Sequence, residues 1–561
     1  MMSLGAAPRA QSGEAVPVAD EIVTQRAWVL SDLHALDDKT SKLDTRVAVA
    51  LAKAEIADAA WGLDVEWSKK LLREAYGLTL PDEKSSGKLS AVPAGSHPAP
   101  PTPETRARWA VRDRVLSVAR RDGDFANQLV KEAANRLGAY EEHLRYSELA
   151  DLSLEAGEEA EAREYLLQAM RADPTQMPVA TGILKLAAHD RAAADALTVQ
   201  YLELLRATPA AFSWPSRVRV TYNLQMMMLS PRTELGAGGQ PVPPPGPAAQ
   251  RAYARYVVEA LAQQERSNPG SLKGFRVFLL SAWAPVKRYA PELTEAFLEL
   301  ERLSRRPGDD ASLPQESLLE KYREKREEKV RRALEDDVPD TSTINALIGD
   351  GDYDRARRLI EKLMDGPLKT QLTEKVNLRE AISLASKGDV VGARALAERL
   401  TKAVSIVQVY PDLVRRCVSR KDQACATSLV YQATKQLKRS DTSRPQLPAG
   451  IPASAVASGR EFNPVVSGLG SLAKSIFPVD EALGWEVMNE LVATVNGSEL
   501  DASEGWVGFD AGVFSNAAER NEQRARSVAE NFKAPLRQIV SLAAVSRWKA
   551  SDLAKKGRAS N

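Results

Sequence analysis

Residues 146–174 read YSELADLSLEAGEEAEAREYLLQAMRADP. The pattern is a helix, a glycine turn at Gly157, then a second helix opened by small residues and closed by Pro174, which removes an amide donor and collides with a continuing turn. The same helical period extends outward in both directions. Val47, Leu51, Ala54, Ile56 and Ala60 recur on one face, as do Val115, Val118 and Ala119, with polar residues between them. Alternating apolar and polar runs of the kind that make half-buried strands are nearly absent. The class is all-α.

The second half of this frame places small or apolar residues at +5, +9 and +12 from a turn residue, and it recurs. Gly351 leads to Ala356, Ile360 and Leu363; Gly388 to Ala393, Ala397 and Leu400; Lys421 to Ala426, Val430 and Ala433; Arg520 to Ala525, Ala529 and Phe532. The steps from Gly351 to Gly388 and on to Lys421 are 37 and 33 residues (388 − 351 and 421 − 388), inside the range of helical-hairpin repeats. A further hairpin spans Lys42 to Leu80 around Gly62-Leu63-Asp64, one position out of frame.

In Tyr146, Leu149, Ala150, Gly157, Ala162, Leu166, Ala169 and Pro174, the segment 143–176 resembles the tetratricopeptide repeat at nearly every signature position. The later units resemble it only in their second helices. The resemblance implies paired antiparallel helices, with Ala150 and Ala162 allowing close approach and Leu149, Leu166 and Ala169 filling the seam. It implies an α-solenoid of degenerate hairpins with Pro/Gly-rich interruptions, each hairpin stacking on its neighbours. It also implies a partner groove lined by first helices, to which Tyr146, Glu148 and Ser153 would contribute.

Breaks divide the chain. The expected regions are an N-terminal helical hairpin region 1–81, a Pro/Ser-rich linker 82–104, a helical region 105–230 holding the strong repeat, and a Pro/Gly loop 231–247. A helical region 248–337, the hairpin repeats 338–437, a linker 438–463 and a C-terminal helical region 464–561 follow. Proline, glycine and serine in the breaks neither continue a helix nor bury apolar surface. Thr102-Pro103-Glu104 reads as a helix start, with proline at the first helical position.

At 561 residues the chain exceeds a single compact core. Lys plus Arg number 76 against 75 for Asp plus Glu, so no global field attracts nucleic acid or an anionic membrane, and nucleic acid is not an expected partner. No run approaches a membrane span; the best, Phe278 to Val286, is short and holds Pro285. The start lacks a charged n-region and a full apolar core, so the sequence as written reads as soluble and cytoplasmic. Ala10-Gln11-Ser12-Gly13 also fits the tail of a leader beginning upstream, which makes an exported, periplasmic protein the alternative.

Motifs that carry chemistry fail on context. Val29-Leu30-Ser31-Asp32-Leu33-His34 resembles the opening metal-binding strand of calcineurin-like phosphoesterases, yet the four histidines, His34, His97, His143 and His189, stand in no matching blocks. Gly349-Asp350-Gly351-Asp352 falls at a hairpin turn. Gly468-Leu-Gly470-Ser-Leu-Ala473, with Glu490 beyond it, has dinucleotide-fingerprint spacing but no strand series, and is expected to be a turn leading into a helix. Pro241-Val-Pro-Pro-Pro245 reads as a spacer, with a recognised polyproline helix as the alternative. Met226, Met227 and Met228 read as core. Glu327 with Arg331 and Glu328 with Arg332 read as pairs on a solvated helix. Cys417 and Cys425 flank the turn Ser419 to Asp422; they would form a disulfide stapling that hairpin in an exported protein and small buried residues in the cytosol. No catalytic residue, metal site or cofactor is expected. The functional expectation is a non-catalytic scaffold binding a protein or peptide; the alternatives are a structural or assembly protein of the bacterial envelope and, remotely, an enzyme with an unrecognised site.

Overall fold

The computed structural model of the chain describes residues 18–80, 103–133, 139–172, 177–207, 242–305, 341–440, 463–497 and 509–560, with single positions between them. Expectations for Ala10 to Gly13, His97, Thr102, Met226, Pro241, Glu327 and most of the linkers lie outside the described residues, as does the side chain of His143.

Helices supply the regular structure there. The first third holds α1 (Val18–Thr40), α2 (Arg46–Ala60), α3 (Val65–Thr79), α4 (Pro103–Ala119), α5 (Gly123–Glu132), α6 (Ala139–Glu155) and α7 (Glu159–Ala172). The middle holds α8 (Met177–His189), α9 (Arg191–Ala207), α10 (Pro247–Ser267), α11 (Arg276–Ser281), α12 (Trp283–Tyr289) and α13 (Thr294–Ser304). Then come α14 (Thr341–Asp350), α15 (Tyr353–Glu361), α16 (Pro367–Lys387), α17 (Val390–Ala397), α18 (Ala403–Ser419) and α19 (Gln423–Arg439). The last are α20 (Pro464–Ile476), α21 (Glu481–Gly497), α22 (Gly512–Arg520), α23 (Glu522–Glu530) and α24 (Pro535–Ser560).

One turn recurs between paired helices. Gly157, Gly351, Gly388 and Lys421 have φ of 78°, 80°, 86° and 59°, the left-handed conformation that ends a helix while its last carbonyls are still satisfied. In each case the next residue donates its amide five positions back: Glu158 to Ser153, Asp352 to Leu347, Asp389 to Leu384 and Asp422 to Cys417, at 2.8–3.0 Å. In three of them the same aspartate opens the second helix, its carboxylate accepting from the amides of Arg355, Gly392 and Cys425. Such a cap replaces one of the unpaired donors of a helix N-terminus and contributes about 1 kcal/mol. Lys421 is the one non-glycine residue with positive φ among the described residues. Its Cβ costs about 1 kcal/mol relative to glycine in that conformation.

Behind each turn the expected side chains are buried, except Leu363, which is half-buried against the cluster that holds Ile360. Ala162, Leu166 and Ala169, then Ala356 and Ile360, then Ala393, Ala397 and Leu400, then Ala426, Val430 and Ala433 all lie in the core. A buried leucine there stabilises by roughly 1.5–3 kcal/mol. The unit at Arg520 keeps the buried Ala525, Ala529 and Phe532 but not the turn. Asn521, extended at φ −154°, caps α23 from its side chain, so no left-handed residue is needed.

The contacts divide the chain into two compact units. One comprises Met1–Thr79, Pro101–Val118 and Gln315–Asn561; the other comprises Leu80–Pro100 and Ala119–Pro314. In the first, α14, α16, α18, α20, α22 and α24 pack each on the next, with the second helices of the hairpins between them. Glu374 of α16 fixes one joint: its buried carboxylate accepts from the amides of Thr401 and Lys402 and from the Thr401 hydroxyl, at 3.0–3.2 Å, just ahead of α18. The stack then continues past α24 into the N-terminal helices, since α1 and α2 pack on α24. Arg526 binds Asp32 at 2.6 Å, while Arg547 and Arg114 both bind the buried Asp58. In the second unit α6 pairs with α7, and α8, α9 and α10 follow, around Tyr201, Tyr253 and Phe297. Met227 and Met228 lie in this core. Residues 242–246 are tethered at both ends, with Pro243 and Pro244 exposed between: Val242 is buried, Arg191 donates to the Pro243 carbonyl at 3.2 Å, and Gly246 opens α10.

Candidate functional site

The groove residues implied by the repeat separate in space. Tyr146 is half-buried on α6, its ring stacked against that of Tyr165 with centroids 6.5 Å apart and covered by the Arg145 guanidinium at 4.3 Å. The Tyr165 hydroxyl donates to Glu161 at 2.7 Å and, with Lys131 beyond, holds the Glu161 carboxyl below its usual range. Glu148, two residues on and so on a different face of the helix, is half-buried. Ser153 is a correction. It is fully buried, its hydroxyl finds no hydrogen-bond partner, and its carbonyl serves the Gly157 turn, so it lies beneath the surface and lines no groove.

A concave surface elsewhere was not singled out by sequence. It is an open cleft of about 500 Å³ between α18 and α20, lined by Arg415, Val418, Ser419, Ser471, Lys474 and Pro478. Its cause is a close helix crossing. Gly468 sits where any Cβ would strike the Cγ1 of Val407, so the two helices touch there, and the cleft opens further along both. The glycine pair of the dinucleotide-like string therefore does packing work inside α20, whose N-terminus Asn463 caps. The expected turn leading into a helix is corrected accordingly: the glycines stand within the helix body.

Charge in the cleft is largely paired. Lys474 binds Asp510 at 2.5 Å. Arg415 and Arg416 share Asp412, at 3.4 and 2.8 Å, and Arg415 remains exposed. Burial pushes the Asp412 carboxyl up, but the two guanidiniums outweigh it and hold the group below its usual range. The hydroxyls of Ser419 and Ser475 donate back to the carbonyls of Arg415 and Ser471.

Cys417 and Cys425 meet beside this cleft. Their sulfurs are in bonding contact, with Cα atoms 5.8 Å apart, inside the range that a disulfide spans without backbone movement. Cys417 is buried and Cys425 half-buried.

The phosphoesterase-like string forms part of α1: Asp32 binds Arg526 and His34 stacks on Trp67 with centroids 3.8 Å apart. Gly351 and Asp352 form the α14–α15 turn, as the frame requires. Among the described residues no group of three or more His, Cys, Asp or Glu is placed to hold a metal ion, and no helix is long and apolar enough to cross a membrane.

No family model matches the chain, and no curated protein matches it. Among solved structures it is similar to yeast Tom70, at 12% identity over 80% of this chain and 99% of that one, with a TM-score of 0.22. It is also similar to the Naa15/Naa10 complex bound to HypK-THB, at 13% identity over 86% of this chain and 68% of that one, with a TM-score of 0.22. A circular tandem repeat protein covers 96% of the chain at 12% identity, with a TM-score of 0.11. Superpositions this loose carry no functional argument, and the fold rests on the recurring turn and the side chains buried behind it. By those hairpins the chain has a tetratricopeptide-like α-solenoid fold.

Proposed function

We propose that the chain is a non-catalytic helical-repeat scaffold that holds a protein or peptide partner against its stacked hairpins. The observation that carries this reading is the cleft between α18 and α20. It is open, lies between two stacked helices and is edged by the exposed Arg415, and an open cleft admits a chain segment better than it encloses a small substrate. The shifted carboxylates favour the same reading. Glu292, Glu299, Glu328 and Asp412 are scattered over the surface and each is held low by an arginine, while Glu158, the one carboxyl raised among the described residues, is exposed and raised by its hydrogen bond with Glu161 rather than by a pocket.

The envelope reading, a structural or assembly protein outside the cytosol, is favoured by one observation, the meeting of Cys417 and Cys425, because bonded cysteines persist in oxidising compartments.

The test is affinity capture from soluble and envelope fractions of source cells, with the full chain and a Ser471→Trp variant that fills the cleft. A protein enriched by the native chain and lost with the variant, at unchanged helical content, is the expected result. Equal enrichment by both, or none by either, contradicts the assignment of the cleft.

A further inference from the structure

Four hairpins turn on a left-handed residue, and three use glycine. The fourth uses Lys421, and it is the turn that Cys417 and Cys425 span. Cys417 closes α18, its carbonyl accepting from the Asp422 amide at 2.9 Å. Cys425 stands in the first turn of α19, its amide held by the Asp422 carboxylate at 3.0 Å. We propose that the Cys417–Cys425 bond is a redox-sensitive staple that holds the Lys421 turn in its left-handed conformation and thereby fixes the 415–419 wall of the cleft.

The physical reason lies in the side chain. A lysine Cβ at positive φ crowds the following carbonyl, so a free chain leaves this conformation more readily than glycine does. A bond closing the sequence separation of 8 removes the opened conformers that would relieve the crowding. The turns at Gly157, Gly351 and Gly388 reach the same geometry with no cysteine beside them. Arg415, Val418 and Ser419 lie within two residues of Cys417 on α18, so loosening this turn loosens cleft-lining positions directly.

Reduction has a preferred direction. Cys425 is half-buried while Cys417 is buried, so the thiolate of a dithiol reductant meets the Cys425 sulfur first. A mixed disulfide forms there, and Cys417 leaves with the electron pair and takes a proton. The second thiol of the reductant then attacks its own sulfur in the mixed disulfide, releasing Cys425, which takes the second proton. The reductant departs as a cyclic disulfide, and two electrons have passed to the protein.

The turn itself stands on geometry alone; only its consequence for the cleft rests on the scaffold reading. The experiment therefore uses no partner. The full chain, purified without reductant, is alkylated in urea before and after treatment with dithiothreitol, and amide hydrogen exchange is followed by mass spectrometry in both states. The expected result is no alkylated cysteine before reduction and two after it. Exchange over 413–426 should rise about tenfold on reduction, while 384–393 around Gly388 stays unchanged as an internal control. In a Lys421→Gly variant the rise should shrink to about twofold, because the strain is gone. Alkylation before reduction, no rise in exchange, or an equal rise in both forms overturns the proposal.

Discussion

The hairpins turned at Gly388 and at Lys421 are neighbours built on one plan. In both, the left-handed residue donates three positions back, to Ala385 or Val418, and the next aspartate donates five back, to Leu384 or Cys417. Asp389 and Asp422 then cap the second helices, and small residues are buried five positions after the turn, Ala393 in one and Ala426 in the other. They differ in the residue at the turn and in the cysteine pair around it. The unit is therefore defined by a hydrogen-bonding pattern and a small buried residue, and glycine is only the least strained way to supply the first.

The joint between the two hairpins gives the strongest way to break this comparison. Glu374→Ala strands the amides of Thr401 and Lys402 in a part-buried site, and should destabilise by about 2–3 kcal/mol. Hydrogen exchange should report the loss first at the start of α18 and only weakly in α17. A drop spread evenly over both hairpins would mean the joint is not local.

The caps sharpen the comparison at smaller scale. Asp389→Ala and Asp422→Ala should each cost about 1 kcal/mol, read from exchange of the first-turn amides of α17 and α19. The loss at Asp422 should be the smaller while the cysteines are bonded and should match that at Asp389 after reduction.

The smallest expected effect concerns Asp412, whose partner Arg415 lines the cleft. Its folded carboxyl is held below its ordinary range, so its contribution is present above the unfolded value near 4 and is lost as pH falls through the lower folded value. Because the pair is partly exposed, Asp412→Asn should cost only about a few tenths of a kcal/mol at pH 7. Denaturation midpoints of native and variant chains should converge once the pH falls below the folded value. A difference that persists there would assign the effect to packing.

Much of the array was legible because its signal is local. Gly157, Gly351, Gly388 and Lys421 stand at fixed distances from the alanines they bury, so spacing alone located the turns. At Arg520 the same spacing found the buried Ala525 and Ala529 but not the turn, since an extended asparagine serves as well and leaves no mark in that frame. Packing between distant segments left no signal. Nothing in sequence links Asp32 to Arg526, which are 494 residues apart, so the continuation of the stack from α24 into α1 and α2 was out of reach. The cleft was missed for the same reason. Its shape depends on Gly468 meeting Val407, and a glycine pair in a helix reads equally as a loop motif. Of the groove residues, Tyr146 and Glu148 keep partial exposure, whereas Ser153 does not, because family position fixed its helix and not the packing of its neighbours.

The most direct test of the array is a reciprocal swap, Gly388→Lys and Lys421→Gly, each followed by amide hydrogen exchange at both turns. If left-handed turns organise the hairpins, the first change speeds local exchange about fivefold to tenfold around 384–393 and the second, in the reduced chain, slows it about fivefold around 417–426. Each effect should stay within its own hairpin. Two silent substitutions would contradict the shared turn and with it the repeat as described.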